Sequence, residues 1–494
     1  MTATRAIMVL GTSSNVGKSW LATGLCALLR RWGFAVAPFK AQNLSNNSAP
    51  ARTHRGGWGE IGRSQAAQAD ACGLVPDVDM NPLLIKPEAG GRAQRVLLGE
   101  VLDPELRLPT DVLWAEVTAA YGRLAANYDI IVLEGAGSPV ELNLLQHDIV
   151  NGRMALHAAE QARQAGGDGA CLLVGDIDRG GIFAALHGTI ALMPPELRAL
   201  VQGLVVNRFR GDPAHFDPGP ALLRERTGVP VRGVIPWRPD IPLDPEDGED
   251  SRDQGSGPLD ICVLRLPALS NFEDLVALGR LGPMRVRFVA SRERVGSPDL
   301  VVLPGTKDTL AALDWLRRRG LDRVVQAAAK RGVPVLGLCG GYQLLGRQVA
   351  DPKGSGGSPG TAEGLGLLPV DTIFDPRKQV QPAQGQTDGG WLLPAGLQVQ
   401  GYEIHNGSST VHGDAFLTLD GAEGCVQGSV AGTYLHGLLD DAAVRNALVD
   451  ALMQRRGLPA WTEQLPGATA QRQRGFEQLA DIVEAHLDLE GLLG

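Results

Sequence analysis

The 494-residue sequence has little of several things, and each scarcity narrows the answer. Its six cysteines (26, 72, 171, 262, 339 and 425) form no C-x-x-C pair, which excludes a disulfide framework and a structural zinc site of the usual spacing. No run of eighteen apolar residues occurs, so no membrane span is expected. The first residues, "MTATRAIMVLG", hold an apolar run too short for a secretory signal, and a cytoplasmic protein is expected. A basic excess is missing too. The formal net charge of −9 argues against a nucleic-acid partner, though not against an anionic small substrate bound in a locally basic site.

What is present is a repeated alternation. The runs "RAIMVLG", "YDIIVLEG", "GACLLVGD" and "VQGLVVNRF" read as buried parallel strands, each ending in glycine, acid or a polar residue. Helical patterns lie between them, as in "SWLATGLCALLRRWG", where Leu21, Leu25, Leu28 and Leu29 share a stripe and Gly33 stops the helix. A doubly wound α/β domain over residues 1–243 follows. Residues 244–258, "DPEDGEDSRDQGSGP", read as an acidic linker. A second α/β series over 259–441 contains "LDICVLRLP", "PDLVVLPGTKD", "VPVLGLCGG", "QGYEIHNG" and "GSVAGTYLHG", with a flexible insertion expected at 352–361. Residues 442–494 read as a helical tail.

The first strand runs into "GTSSNVGKSW", a phosphate loop opening a helix. Backbone N–H groups from Gly11 to Gly17, including those of Thr12, Asn15 and Val16, would surround ATP phosphates. Lys18 would reach the outer phosphates and Ser19 would ligand Mg²⁺. Five residues separate Gly11 from Gly17, one more than the usual pattern. A second Mg²⁺ ligand is expected at a neighbouring strand end: Glu134 is preferred, with Asp176 and Asp178 as alternatives. Asn207, closing "GLVVN", is a candidate for reading adenine or for capping its strand.

"GLCGG" has the form of a nucleophile elbow, in which a strained strand-to-helix turn exposes Cys339 at a helix N-terminus. Gly340 and, from a neighbouring strand end, Gly305 would donate N–H groups to an oxyanion. His436, ending the strand in "AGTYLHGLLDD", is the candidate base. His405 in "GYEIHNG" is its competitor, expected instead to be structural or to position substrate.

"GLCGGYQLLG" with "GTYLHG" resembles the class I, triad-type glutamine amidotransferases, and "GTSSNVGKS" with "EGAGSP" resembles the dethiobiotin-synthetase-type ATP site, which shares the longer glycine spacing. Both in this order resemble the cobyric and cobyrinic acid amidating enzymes of cobalamin biosynthesis. "PFKAQNLSNNS", "GEIGRSQAAQA", "DMNPLLIKP" and "GDIDRGGIFA" are similar to the cobyric acid branch. The resemblance implies glutamine- and ATP-Mg²⁺-dependent amidation of the b, d, e and g carboxylates of adenosylcobyrinic acid a,c-diamide, a corrinoid. Lys40, Gln42, Asn43, Asn46, Arg63 and Lys86 lie within those strings and are candidate substrate contacts. Triad-type enzymes mostly carry a glutamate two residues after the histidine; here Leu438 stands there, and the group orienting His436 is left open. The rival readings are a cobyrinic acid a,c-diamide synthase, a partition-type nucleotide switch with an inactive second domain, and an amidating enzyme for another polycarboxylate.

Overall fold

The computed structural model describes residues 4–88, 93–103, 105–241, 253–357 and 359–493. Most of the expected linker, residues 244–252, and Ser358 of the expected insertion lie outside the described residues.

The apolar runs of the first half become one six-stranded, wholly parallel sheet. Its order is Val231–Pro236, Val201–Phe209, Gly169–Asp176, Arg5–Gly11, Ile130–Glu134 and Val36–Phe39. Helices cover both faces, so the strands are buried on both sides and read as continuous hydrophobic runs. The carboxyl ends of these strands gather Gly11, Lys40, Glu134, Asp176 and Asn207 along one edge, where ligands of open α/β sheets bind. Between the strand Val36–Phe39 and the helix Thr110–Ala125 the chain makes two small sheets. One joins Gln42–Leu44, Leu83–Pro87, Ala93–Leu97 and Glu100–Val101; the other pairs Ser48–Arg52 with Trp58–Gly62.

The second half repeats the logic. Met284–Val289, Leu259–Leu264, Leu300–Leu303, Val335–Leu338 and Val430–Thr433 are parallel, and Cys425–Gln427 adds an antiparallel edge. "QGYEIHNG" departs from expectation. It lies in Gln398–Val411, which pairs antiparallel with the long strand Val370–Thr387 in a separate sheet. Only some of its residues are buried, which suits a strand that is partly open to solvent rather than one covered on both faces.

The tail divides between the halves. The helix Ala442–Arg455 packs into the second core through Val444, Leu448 and Leu452. The helix Ala468–His486 instead returns to the first half, where Phe476, Leu479, Ile482 and Val483 join the core under the helix Lys18–Arg31. Arg31 adds ion pairs to Asp481 and Glu484 at 2.6 and 2.5 Å.

Candidate functional site

Two centres occupy the carboxyl ends of the two parallel sheets. In the first, the loop after Arg5–Gly11 turns through Gly17 at φ +98° into the helix Lys18–Arg31. A Cβ at Gly17 would stand 2.1 Å from the Asn207 side-chain nitrogen, so only glycine fits this crossing. Asn207 donates to the Val16 carbonyl (2.8 Å), tying its own strand end to the phosphate loop. The loop borders a pocket of about 540 Å³ lined by Asn15, Gly17, Lys18, Ser19, Glu134 and Asn207 among others. Thr12 donates its N–H to the Val174 carbonyl (2.9 Å), which anchors the start of the loop on the sheet. The Lys18 ammonium donates to the carbonyls of Ser13 (3.0 Å) and Gly137 (3.1 Å).

Glu134 organises the floor of this pocket. It is buried and accepts from the Ser19 hydroxyl (2.8 Å), the Lys40 ammonium (2.7 Å) and the Gln68 amide (2.6 Å). A carboxylate buried without such partners would be costly, and these three donors satisfy it. Asp176 has different company. Its carboxylate pairs with Arg208 at 2.8 Å and Arg179 at 3.3 Å, and it does not line the pocket. Both guanidinium groups bear on Oδ2, and Oδ1 accepts from the Asp178 N–H (3.0 Å), so the carboxylate is engaged away from the pocket.

In the second centre, the strand Val335–Leu338 turns sharply at Cys339, with φ +50° and ψ −108°, into the helix Gly340–Leu345. A non-glycine residue rarely holds such a backbone, and strain of this kind collects at functional sites. The packing around the turn requires the flanking glycines: a Cβ at Gly341 would stand 1.8 Å from the Leu303 carbonyl oxygen. One at Gly340 would stand 2.9 Å from the Thr306 nitrogen. Gly340 and the Gly305–Thr306 segment therefore converge on the thiol. Gly305 offers its carbonyl to Ser270 (3.0 Å). Burial pushes the Cys339 thiol up to about 11, against the pull of the Gly340 N–H and of Lys378, Lys307 and Lys86.

His436 is buried, follows the strand beside Val335–Leu338, and stacks on Tyr402 at 5.2 Å between ring centroids. Burial holds its imidazole down to about 3, and His405 adds to this, so the ring is neutral at pH 7. The Asn271 backbone lies beside the ring and favours its protonated form, yet at a geometry short of a hydrogen bond. His405 lines the same small cavity as Cys339. Its Nδ1 stands 2.7 Å from the Gly407 carbonyl and its ring stacks on Tyr434 at 3.8 Å.

That cavity, about 40 Å³, spans the halves of the chain. Asn46 and Lys86 come from the first; Ser270, Asn271, Lys307, Cys339, Lys378 and His405 come from the second. Beside it, Glu60 is paired with Lys86 and Lys378. Burial would raise the Glu60 carboxyl, but Lys378, Lys86 and Lys307 outweigh it and hold the group well below the ordinary carboxylate range. Burial lowers Lys307 to about 7, with Lys378 adding to the effect.

The expected substrate residues thus separate. Lys40 and Asn43 line the nucleotide pocket, and Asn46 and Lys86 line the thiol cavity. Gln42 is half-buried on the strand Gln42–Leu44, and Arg63 lies 5.9 Å from the Tyr402 ring. Lys307, Lys378, Glu60 and Asn271 were not among the expected residues. "ALSNFED" and "FDPRKQV" carry no motif signal of their own, and only the folding of the second half brings them to the thiol cavity.

Residues 7–251 match the family described as "CobQ/CobB/MinD/ParA nucleotide binding domain", and residues 260–444 match "CobB/CobQ-like glutamine amidotransferase domain". A cobyric acid synthase of Desulforudis audaxviator is 44% identical over 100% of this chain and 99% of its own length. One from Moorella thermoacetica is 42% identical over 98% of this chain and 96% of its own. One from Acidovorax ebreus is 46% identical over 90% of this chain and 93% of its own.

Proposed function

The chain belongs to the cobyric acid synthase family, and from that premise we propose that it amidates the b, d, e and g carboxylates of adenosylcobyrinic acid a,c-diamide, using glutamine and ATP. A carboxylate resists attack by ammonia because its charge repels nucleophiles. In the phosphate-loop half it takes the outer phosphoryl group of ATP and becomes an acyl phosphate. Ammonia then attacks the acyl carbon, phosphate leaves, and an amide remains.

The nitrogen comes from the other half. His436 takes the thiol proton of Cys339, and the thiolate attacks the side-chain amide carbon of glutamine. N–H groups of Gly340 and of Gly305 or its neighbour stabilise the oxyanion. The C–N bond breaks as His436 returns the proton to nitrogen, leaving ammonia and a γ-glutamyl thioester that water hydrolyses. Burial raises the thiol and lowers the imidazole, so the proton moves as bound glutamine is attacked rather than beforehand.

Ser19 and Glu134 fit a Mg²⁺ ion, because their hydroxyl and carboxylate oxygens lie 2.8 Å apart at the floor of the phosphate loop. Bound there, the ion would neutralise phosphate charge, while Lys18 grips the outer phosphates and Lys40 holds the Glu134 carboxylate in place. Asp176 is not included, for its arginine partners.

The observation that carries the reading is the shared cavity: the strained thiol and the first-half residues Asn46 and Lys86 border one space large enough for ammonia-sized molecules. The test is incubation with glutamine, ATP-Mg²⁺ and the adenosylated diamide, followed by mass spectrometry of the corrinoid. Four successive exchanges of hydroxyl for amide are expected. An unchanged corrinoid overturns the reading, and amidation at only the a and c positions of an earlier intermediate favours the diamide synthase.

A further inference from the structure

Between the two centres lies a string of amide side chains whose hydrogen bonds are incomplete. Its ends belong to the two sites. Asn46 borders the thiol cavity, and Asn43, three residues earlier, borders the nucleotide pocket. A chain extends at most about 3.6 Å per residue, so the backbones of these two lie no more than about 11 Å apart. The Asn43 side-chain nitrogen donates to Gln65 Oε1 (2.8 Å). Gln65 and Gln68 stand three residues apart on the helix Arg63–Cys72 and so share a face. Gln68 then donates to Glu134 (2.6 Å) at the floor of the phosphate loop. Gly62, just before that helix, leaves room for the junction. A Cβ there would stand 2.3 Å from the Asn43 side-chain nitrogen and 2.9 Å from Gln65 Oε1.

Three of these side chains keep one polar atom buried without a hydrogen-bond partner among the described residues: Asn46 Oδ1, Gln65 Nε2 and Gln68 Oε1. Gln65 and Gln68 are themselves fully buried. Folded interiors leave few such atoms, and a small polar guest is the usual reason for them. Two acceptors and one donor suit neutral ammonia, which donates three N–H groups and accepts with one lone pair. Ammonium has no lone pair to offer the Gln65 donor, and it would carry an unpaired charge into the interior.

We propose that Asn46, Gln65 and Gln68 line the route by which ammonia travels from Cys339 to the acyl phosphate. It moves as NH₃, and no bond forms or breaks until it meets the acyl carbon. The route enters at Asn46, passes the Asn43–Gln65 junction and emerges beside Gln68 and Glu134, next to the phosphate loop. The inference rests on the glutamine-dependent reading above.

The test supplies glutamine labelled with heavy nitrogen in its amide together with unlabelled ammonium, and reads by mass spectrometry which nitrogen enters the corrinoid. The unsubstituted chain is expected to draw nearly all of it from glutamine. Gln65→Met keeps the length of the side chain and removes both polar atoms. It is expected to raise the share of nitrogen taken from solution, and the glutamate released per amide formed, about fivefold or more, while the rate on ammonium alone stays within about twofold. A side chain that merely supported the fold would slow both nitrogen sources and leave their proportion alone. An unchanged proportion in Gln65→Met therefore overturns the proposal whatever its rates, and leaves the unpaired atoms to bound water. Free mixing of the two nitrogens by the unsubstituted chain overturns it as well. Should Gln65→Met fail to fold, Gly62→Ala, which presses on the same junction, decides by the same outcomes. Failure of the unsubstituted chain to amidate from either source would strike the functional reading itself, and the route with it.

Discussion

The two centres share a sheet architecture and differ in almost everything built on it. The phosphate-loop pocket holds about 540 Å³ and is organised by charges already paired: Lys40, Ser19 and Gln68 converge on Glu134. The thiol cavity holds about 40 Å³, and burial keeps its Cys339 thiol protonated at neutral pH. A site for a highly charged nucleotide gains from fixed charge and open access. A site that releases a small neutral molecule gains from enclosure, because ammonia escaping to water is protonated and lost as a nucleophile. The difference in size and charge follows from what each site must hold.

Breaking one centre at a time should expose that division. The largest effect is expected from Cys339→Ser, which should lower glutamine-fed amidation by on the order of a thousandfold while sparing ammonium-fed amidation. Equal loss with both nitrogen sources would erase the distinction. Lys18→Ala should lower amidation by roughly a hundredfold or more from either source, because acyl phosphate formation precedes both. A retained ammonium-fed rate would place activation elsewhere.

A pH measurement sharpens the contrast in charge. A thiol raised to about 11 is protonated at pH 7, and its thiolate fraction grows as pH rises toward that value. Alkylation of Cys339 in the free enzyme, corrected with Cys339→Ser, should therefore rise about tenfold per pH unit from 7 through 10. An ordinary free cysteine would level off near about 8.5. A plateau below pH 9 would mean a preformed thiolate pair instead. The smallest effect on turnover is expected from Leu479→Ala in the returning helix. It should cost about 2–5 kcal/mol of stability by thermal or denaturant unfolding, with both nitrogen sources served alike below the transition.

The sequence made much of both centres legible, for identifiable reasons. The phosphate loop and the elbow are local: each is a strand, a glycine turn and a helix start within a dozen residues, so backbone demands appear as residue types. Glu134 was legible because it ends an apolar run at the sheet edge where the fold gathers ligands. Asp176 met the same criterion yet faces Arg208 and Arg179, and the first of these lies on a neighbouring strand with no motif to announce it. Asn271, Lys307 and Lys378 were not legible at all. Their meaning comes from partners more than two hundred residues away, Asn47, Gln94 and Glu60. The antiparallel pair Val370–Thr387 and Gln398–Val411 was obscured because its glutamine-rich strands lack the apolar signature of a core strand.

The return of the last helix to the first sheet bears on any attempt to take the enzyme apart. Gly24 lets it come so close that a Cβ there would stand 2.7 Å from Val483, and Asp488 ties the following turn to Arg232. The amidotransferase half is thus threaded between two pieces of the ATP half, like a bead between knots. A fragment ending before residue 259 would bare the leucines of its first helix to water, and the complementary fragment would carry an orphaned greasy helix in search of them. Dissection by simple bisection should yield two sticky proteins, whereas a circularly rearranged chain that starts at the final helix and then runs into Arg5–Gly11 would keep each core whole.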